Sequence, residues 1–113
     1  MVRHMARFEQ VHAQLTTEAN GSLTHKVTLY TNCCQENLVC FFQTLYGATF
    51  FYNMINMGTY VIDTAIPSPW TDNDDNRELF HLINVALATE KEMSKWIKIQ
   101  EKSVNPLNQK LDI

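Results

Sequence analysis

Lysine and arginine are missing from the whole stretch between Lys26 and Arg77. Within that gap, Asn37 to Ile62 runs 26 residues without a formal charge, and nine of the twelve aromatic side chains lie between Tyr30 and Trp70. Such a block cannot stay solvated, so a core, a partner, a ligand or a bilayer has to cover it. Glycine is scarce too. Its three positions, 21, 47 and 58, form no phosphate-cradling loop, which excludes nucleotide binding of that kind. The three cysteines, Cys33, Cys34 and Cys40, are odd in number, include an adjacent pair and contain no C-x-x-C. They make a poor disulfide framework and point to a reducing, cytoplasmic setting.

A bilayer is the least fitting cover. The uncharged run is long enough to span, but Gln43, Thr44, Asn53, Asn56 and Thr59 are costly in hydrocarbon, and no basic residue flanks it. Glu9 interrupts the start before any apolar run, so no signal peptide is expected. Met5 reads equally well as the natural start, which would leave residues 1–4 as cloning residues.

At 113 residues the chain is expected to form one domain, with a loose tail over 104–113. Its net charge of −3 argues against a nucleic-acid partner, which calls for a basic face. The charge is also uneven. Residues 27–75 carry Glu36, Asp63, Asp72, Asp74 and Asp75 with no base, a formal −5, while the segments on either side are each +1. The middle therefore presents an acidic surface whose natural complement is a basic protein.

The pattern predicts an α+β fold in the order β-β-α-β-α: an antiparallel hairpin, a long helix, a third strand and a second long helix. Phe8 to Thr31 reads as the hairpin, with Asn20-Gly21-Ser22 as its turn. A three-residue loop pairs Leu15 with Val27 and Ala13 with Leu29. It sets His12, Gln14, Thr16 and Glu18 opposite Tyr30, Thr28, Lys26 and Thr24, so one face is apolar and the other polar. A helix over residues 2–15 competes with it. Asn32, with Gln35 and Glu36, resembles a helix N-cap. It predicts a helix from Cys33 to about Met57, apolar nearly all round, that stops at Gly58. Thr59 to Ile66 alternates as a third strand, ended by Pro67 and Pro69. A last helix starts near Asn76; its second half narrows to Met93, Trp96 and Ile97, with Glu92–Lys95 and Lys98–Glu101 spaced for surface pairs.

Candidate chemistry is thin. Cysteines 33 and 34 at a helix start are a plausible reactive position, but small buried residues fit as well. The run from Asp72 to Glu78 resembles the head of a calcium loop, yet Arg77 stands where glycine is needed and Ile83 where glutamate is needed. Acidic side chains at a helix N-terminus explain it better. His12, His25 and His81 share no ligand spacing, and His25 near Thr17 suits a partly buried, hydrogen-bonded histidine. No catalytic set, metal or cofactor is assigned. Trp70 beside Asp72, Asp74 and Asp75 is either a partner-binding anchor or a lid on the core.

These features lead to an expected function of protein–protein interaction, as a dimeric adaptor or a stoichiometric inhibitor of the immunity type. Phe42, Tyr46, Phe50 and Asn53 are placed at a dimer face or a pocket. The alternative is a small-molecule domain or small enzyme whose aromatic cavity takes its polarity from Asn53, Asn56, Asp63 or Cys34. The interaction reading rests on one expectation: the uncharged middle exceeds what one copy of the chain can cover.

Overall fold

The computed structural model describes residues 5–21, 23–88 and 97–101. Their order is β1 (Phe8–Gln10), β2 (His12–Asn20), β3 (Leu23–Tyr30), β4 (Glu36–Phe42), α1 (Leu45–Met57), β5 (Val61–Asp63), a 3-10 turn (Asp74–Asn76), α2 (Arg77–Ala88) and β6 (Ile97–Glu101). A four-stranded antiparallel sheet runs β2-β3-β4-β6, and β1 pairs with β5 in a separate two-stranded sheet. The α+β class stands.

The hairpin takes the expected register. Leu15 faces Val27, Ala13 faces Leu29, and His12, Gln14 and Thr16 face Tyr30, Thr28 and Lys26. Its turn is tighter than expected. Asn20 pairs with Leu23, so only two residues close the loop, and Gly21 supplies the positive φ of 66°. The surplus residue is absorbed as a register shift between Thr17 and Asn20, which removes the expected Glu18–Thr24 pair.

Residues 33–44 correct the predicted helix. Nearly half of it is not helical. Thr31, fully buried, accepts a hydrogen bond from the Cys34 N–H at 3.0 Å and turns the chain into β4. β4 lies between β3 and β6, and all five residues from Leu38 to Phe42 are buried. A strand covered on both faces is a continuous apolar run, which periodicity cannot tell from a buried helix. The helix begins later, where the Thr44 side chain accepts from the Gly47 N–H at 3.0 Å as an N-cap.

α1 stops at Gly58 as expected, but not because of a left-handed cap, since φ there is −87°. A Cβ at Gly58 would come within 2.5 Å of the Tyr60 ring, so glycine lets that ring lie against the helix end. α1 packs across β2, β3 and β4 through Ala48, Phe51 and Ile55, with the Phe51 ring 5.4 Å from that of Phe42. α2 adds Leu79, Leu82, Ile83, Ala86 and Leu87 to the same core.

The third strand is three residues long and joins β1 rather than the hairpin: Phe8 faces Asp63 and Gln10 faces Val61. The last helix is shorter than predicted, because residues 97–101 form a strand on β4. Met93, Trp96, the Glu92–Lys95 pair, residues 1–4 and the tail over 104–113 lie outside the described residues. No described helix is long and apolar enough to cross a membrane.

Candidate functional site

α1 carries no charged residue over its 13 positions. Its inner side is buried, so its outer side decides what the helix can do. Tyr46, Phe50, Asn53 and Met57 recur at helical spacing and fall in one sector of the helix, about 160° from the buried Ala48, Phe51 and Ile55 at roughly 100° per residue. All four are exposed, Tyr46 by 84% and Met57 by 82%. Leu45, on the adjoining flank, is also more than half exposed. The result is an uncharged stripe about 17 Å long at 1.5 Å per residue, with aromatic rings in its first half. Of the residues placed at a dimer face or pocket, Tyr46, Phe50 and Asn53 therefore share this surface. Phe42 does not: it sits fully buried in β4, facing the helix from the sheet.

Trp70 also differs from the anchor reading. It is 2% exposed, and its indole Nε1–H donates to the Glu36 carbonyl at 2.8 Å, so it covers the start of β4 as a lid. The acids beside it remain at the surface on a tied loop. The Asn73 side chain accepts from the N–H groups of Asp75 and Asn76, and Asn76 accepts from the Asn73 N–H. The buried Asn76 amide also donates to the carbonyls of Pro69 and Thr71. This reciprocal cap starts the turn into α2 and leaves Asp72, Asp74 and Asp75 exposed, with Asp74 paired to Arg77 at 2.7 Å.

The polar groups that an aromatic cavity would draw on are engaged in separate places. The Asn56 side chain brackets the Ala13 backbone, accepting from its N–H at 2.9 Å and donating to its C=O at 3.2 Å. Asp63, buried, accepts from the N–H groups of Arg7 and Ala65 at 2.8 and 3.0 Å. Cys34 packs half-buried against the core, and Asn53 is exposed. The described hollows lie elsewhere, on either side of Tyr60. One of about 250 Å³ lies between Thr59–Val61 and the start of α2, and a more open one runs along His81, Leu82 and Val85. Nothing in the local sequence marks Tyr60, because Gly58 and α2 bring its surroundings together.

The cysteines divide by depth. Cys33 is exposed and accepts a contact from the Arg7 guanidinium at 3.3 Å, while Cys40 is fully buried and its thiol is pushed up to about 12 by desolvation. His25 faces Thr17 as expected, but its Nδ1 is buried without a hydrogen-bond partner. Among the described residues no group of His, Cys, Asp and Glu is arranged to hold a metal ion. No protein-family model matches the chain, and no curated protein or solved structure shows significant similarity to it.

Proposed function

We propose that this protein is a non-enzymatic protein–protein interaction domain, a dimeric adaptor or stoichiometric inhibitor, that engages a partner through the outer face of α1. One observation carries the proposal: Tyr46, Phe50, Asn53 and Met57 form an exposed, uncharged stripe on a helix without a charged residue. Each large side chain of that stripe gains roughly 1.5–3 kcal/mol on full burial. Tyrosine is also among the side chains that most often anchor interfaces. The exposed carboxylates of Asp72, Asp74 and Asp75 favour a partner carrying basic groups, which they would steer during approach. The hollow beside Tyr60 is the observation in favour of a small-molecule site instead.

The test is retention from the native lysate by the wild-type chain and by a Tyr46→Lys, Phe50→Lys double variant. Both positions are exposed, so the variant should keep its melting temperature within a few degrees. The wild type is expected to retain a discrete protein that the variant loses. A wild type that retains nothing and binds no hydrophobic dye at this helix would overturn the proposal.

A further inference from the structure

β2 is an outer strand of the large sheet, and only half of its free edge is covered. The Ala13 N–H and C=O point away from β3, since both are held by the Asn56 side chain. The Val11 N–H points the same way and donates to the Tyr60 carbonyl at 2.8 Å. Antiparallel strands alternate the direction of their backbone groups residue by residue, so Leu15 and Thr17 present theirs on this same outer side. Among the described residues nothing takes them. Between Leu15 and Thr17 the devices that commonly blunt an edge are missing: this stretch holds no proline and no charged residue, and the register shift and Glu18 fall after it.

We propose that a second copy of this chain docks on this edge, β2 against β2 and antiparallel, to join the two large sheets into one. The inference rests on the association reading and goes beyond it by placing self-association away from the outer stripe of α1. The edge itself sets the register. A twofold axis at Thr16 pairs Leu15 of each copy with Thr17 of the other, using every open group, and past Glu18 the incoming strand bends off the edge at its own register shift, short of the Ala13 groups that Asn56 holds. Centring at Leu15 would require Ala13, which Asn56 already holds, and centring at Thr17 would run into the register shift. With the axis at Thr16, threonine meets threonine and Gln14 meets Glu18, an amide against a carboxylate, so no like charges oppose. Glu18 is in addition paired with Lys26 of its own chain at 2.9 Å.

The helix supports the same docking. Leu45, Thr49, Tyr52 and Asn56 share one flank of α1 at roughly 100° per residue, and Asn56 shows that this flank looks toward the β2 edge. A continuous sheet places both α1 helices side by side on one face. That buries the exposed Leu45 at the seam and leaves the two outer stripes on a single, doubled surface for the partner.

Three measurements test the docking. Light scattering after size exclusion should give a dimer. In that dimer the Leu15 and Thr17 amides should exchange at least about tenfold more slowly than in dilute protein. Thr17→Pro removes only an outward N–H, so it should yield a folded monomer. Thr16→Cys in a Cys33→Ser background should cross-link between copies on oxidation with diamide, because facing positions of a non-hydrogen-bonded pair lie about 4.5 Å apart at Cα. A Ser68→Cys control should not. If Thr17→Pro fails to fold, amide exchange and cross-linking in folded protein decide. A dimer that survives Thr17→Pro, exchanges freely at residues 15 and 17 and gives no cross-link in the Thr16→Cys variant would overturn edge pairing while leaving association through α1 intact. A monomer at all concentrations would also overturn it, and retention of a partner by the α1 stripe would then judge the association reading separately.

Discussion

Trp70 shows how one residue can be read two ways and act in only one. A tryptophan beside acids suits an interface, but here the ring is buried and its N–H reaches the Glu36 carbonyl. Replacing it by alanine removes a large core side chain and leaves that carbonyl unpaired. The expected cost is about 3–5 kcal/mol, a large share of a typical small domain's stability. Trp70→Phe keeps most of the ring and forfeits mainly the hydrogen bond, so it should cost about 1–2 kcal/mol. Urea unfolding of the three proteins measures the order. A Trp70→Ala midpoint equal to wild type would show that the loop does not cover β4. The local cap by Asn73 and Asn76 matches the acidic helix start visible in the sequence, because both partners lie within one turn. The fate of Trp70 is not visible there, because its acceptor lies 34 residues upstream in another element.

β4 is the element on which helix and strand are hardest to separate. In the hairpin, polar and apolar residues alternate, so the two strands and their register as far as Thr17 can be read directly, while the tighter turn and its shift carry no such signal. In Leu38–Phe42 nothing alternates, because β3 and β6 flank the strand and both of its faces are buried. β6 comes from the end of the chain, which carries a helical pattern of its own, so the pairing has no local signal. The stripe of Tyr46, Phe50 and Asn53 is legible because helical spacing holds within α1. Phe42 joins that group only if the helix is extended backwards into what is in fact a strand.

Burial of β4 also has a pH signature through Cys40. Burial pushes the pKa of its thiol up from about 9.0 to about 12. Between those values the unfolded chain has lost the proton and the folded chain has kept it, so the unfolded state binds fewer protons. The contribution to stability is complete below about pH 9 and falls as pH rises toward 12. By pH 10 wild type should have lost about 1–2 kcal/mol more than Cys40→Ala, each measured against its own value at pH 7. Denaturant unfolding under reducing conditions reads this difference. Parallel losses in the two proteins would mean that water reaches the thiol in the folded state.

For the whole molecule, the question is how much apolar surface one copy can hide. Much of the uncharged middle is hidden after all, because β4 takes five of its residues into the sheet. What remains outside is one side of α1, so the case for association narrows from a whole helix to a stripe. That helix is held at its C-terminal end by ties to the N-terminal segment. Asn56 grips Ala13, the Tyr60 carbonyl takes the Val11 N–H, and Thr64 donates through its N–H and hydroxyl to the Arg7 carbonyl. Asp63 closes the small sheet by accepting from the Arg7 and Ala65 amides. The β1–β5 sheet is short and bridges more than fifty positions of sequence, whereas β3 is flanked by β2 and β4. The small sheet should therefore open before the large one. Asp63→Ala strips a buried acceptor from two amides and should cost about 1.5–3 kcal/mol, with Asp63→Asn costing less. In native-state hydrogen exchange the variant should speed the amides of Arg7 and Thr64 at denaturant levels where those of Val27 and Leu29 are unchanged. If the β3 amides accelerate in step with Arg7, the two sheets open as one unit, and α1 loses its support only when the whole molecule unfolds.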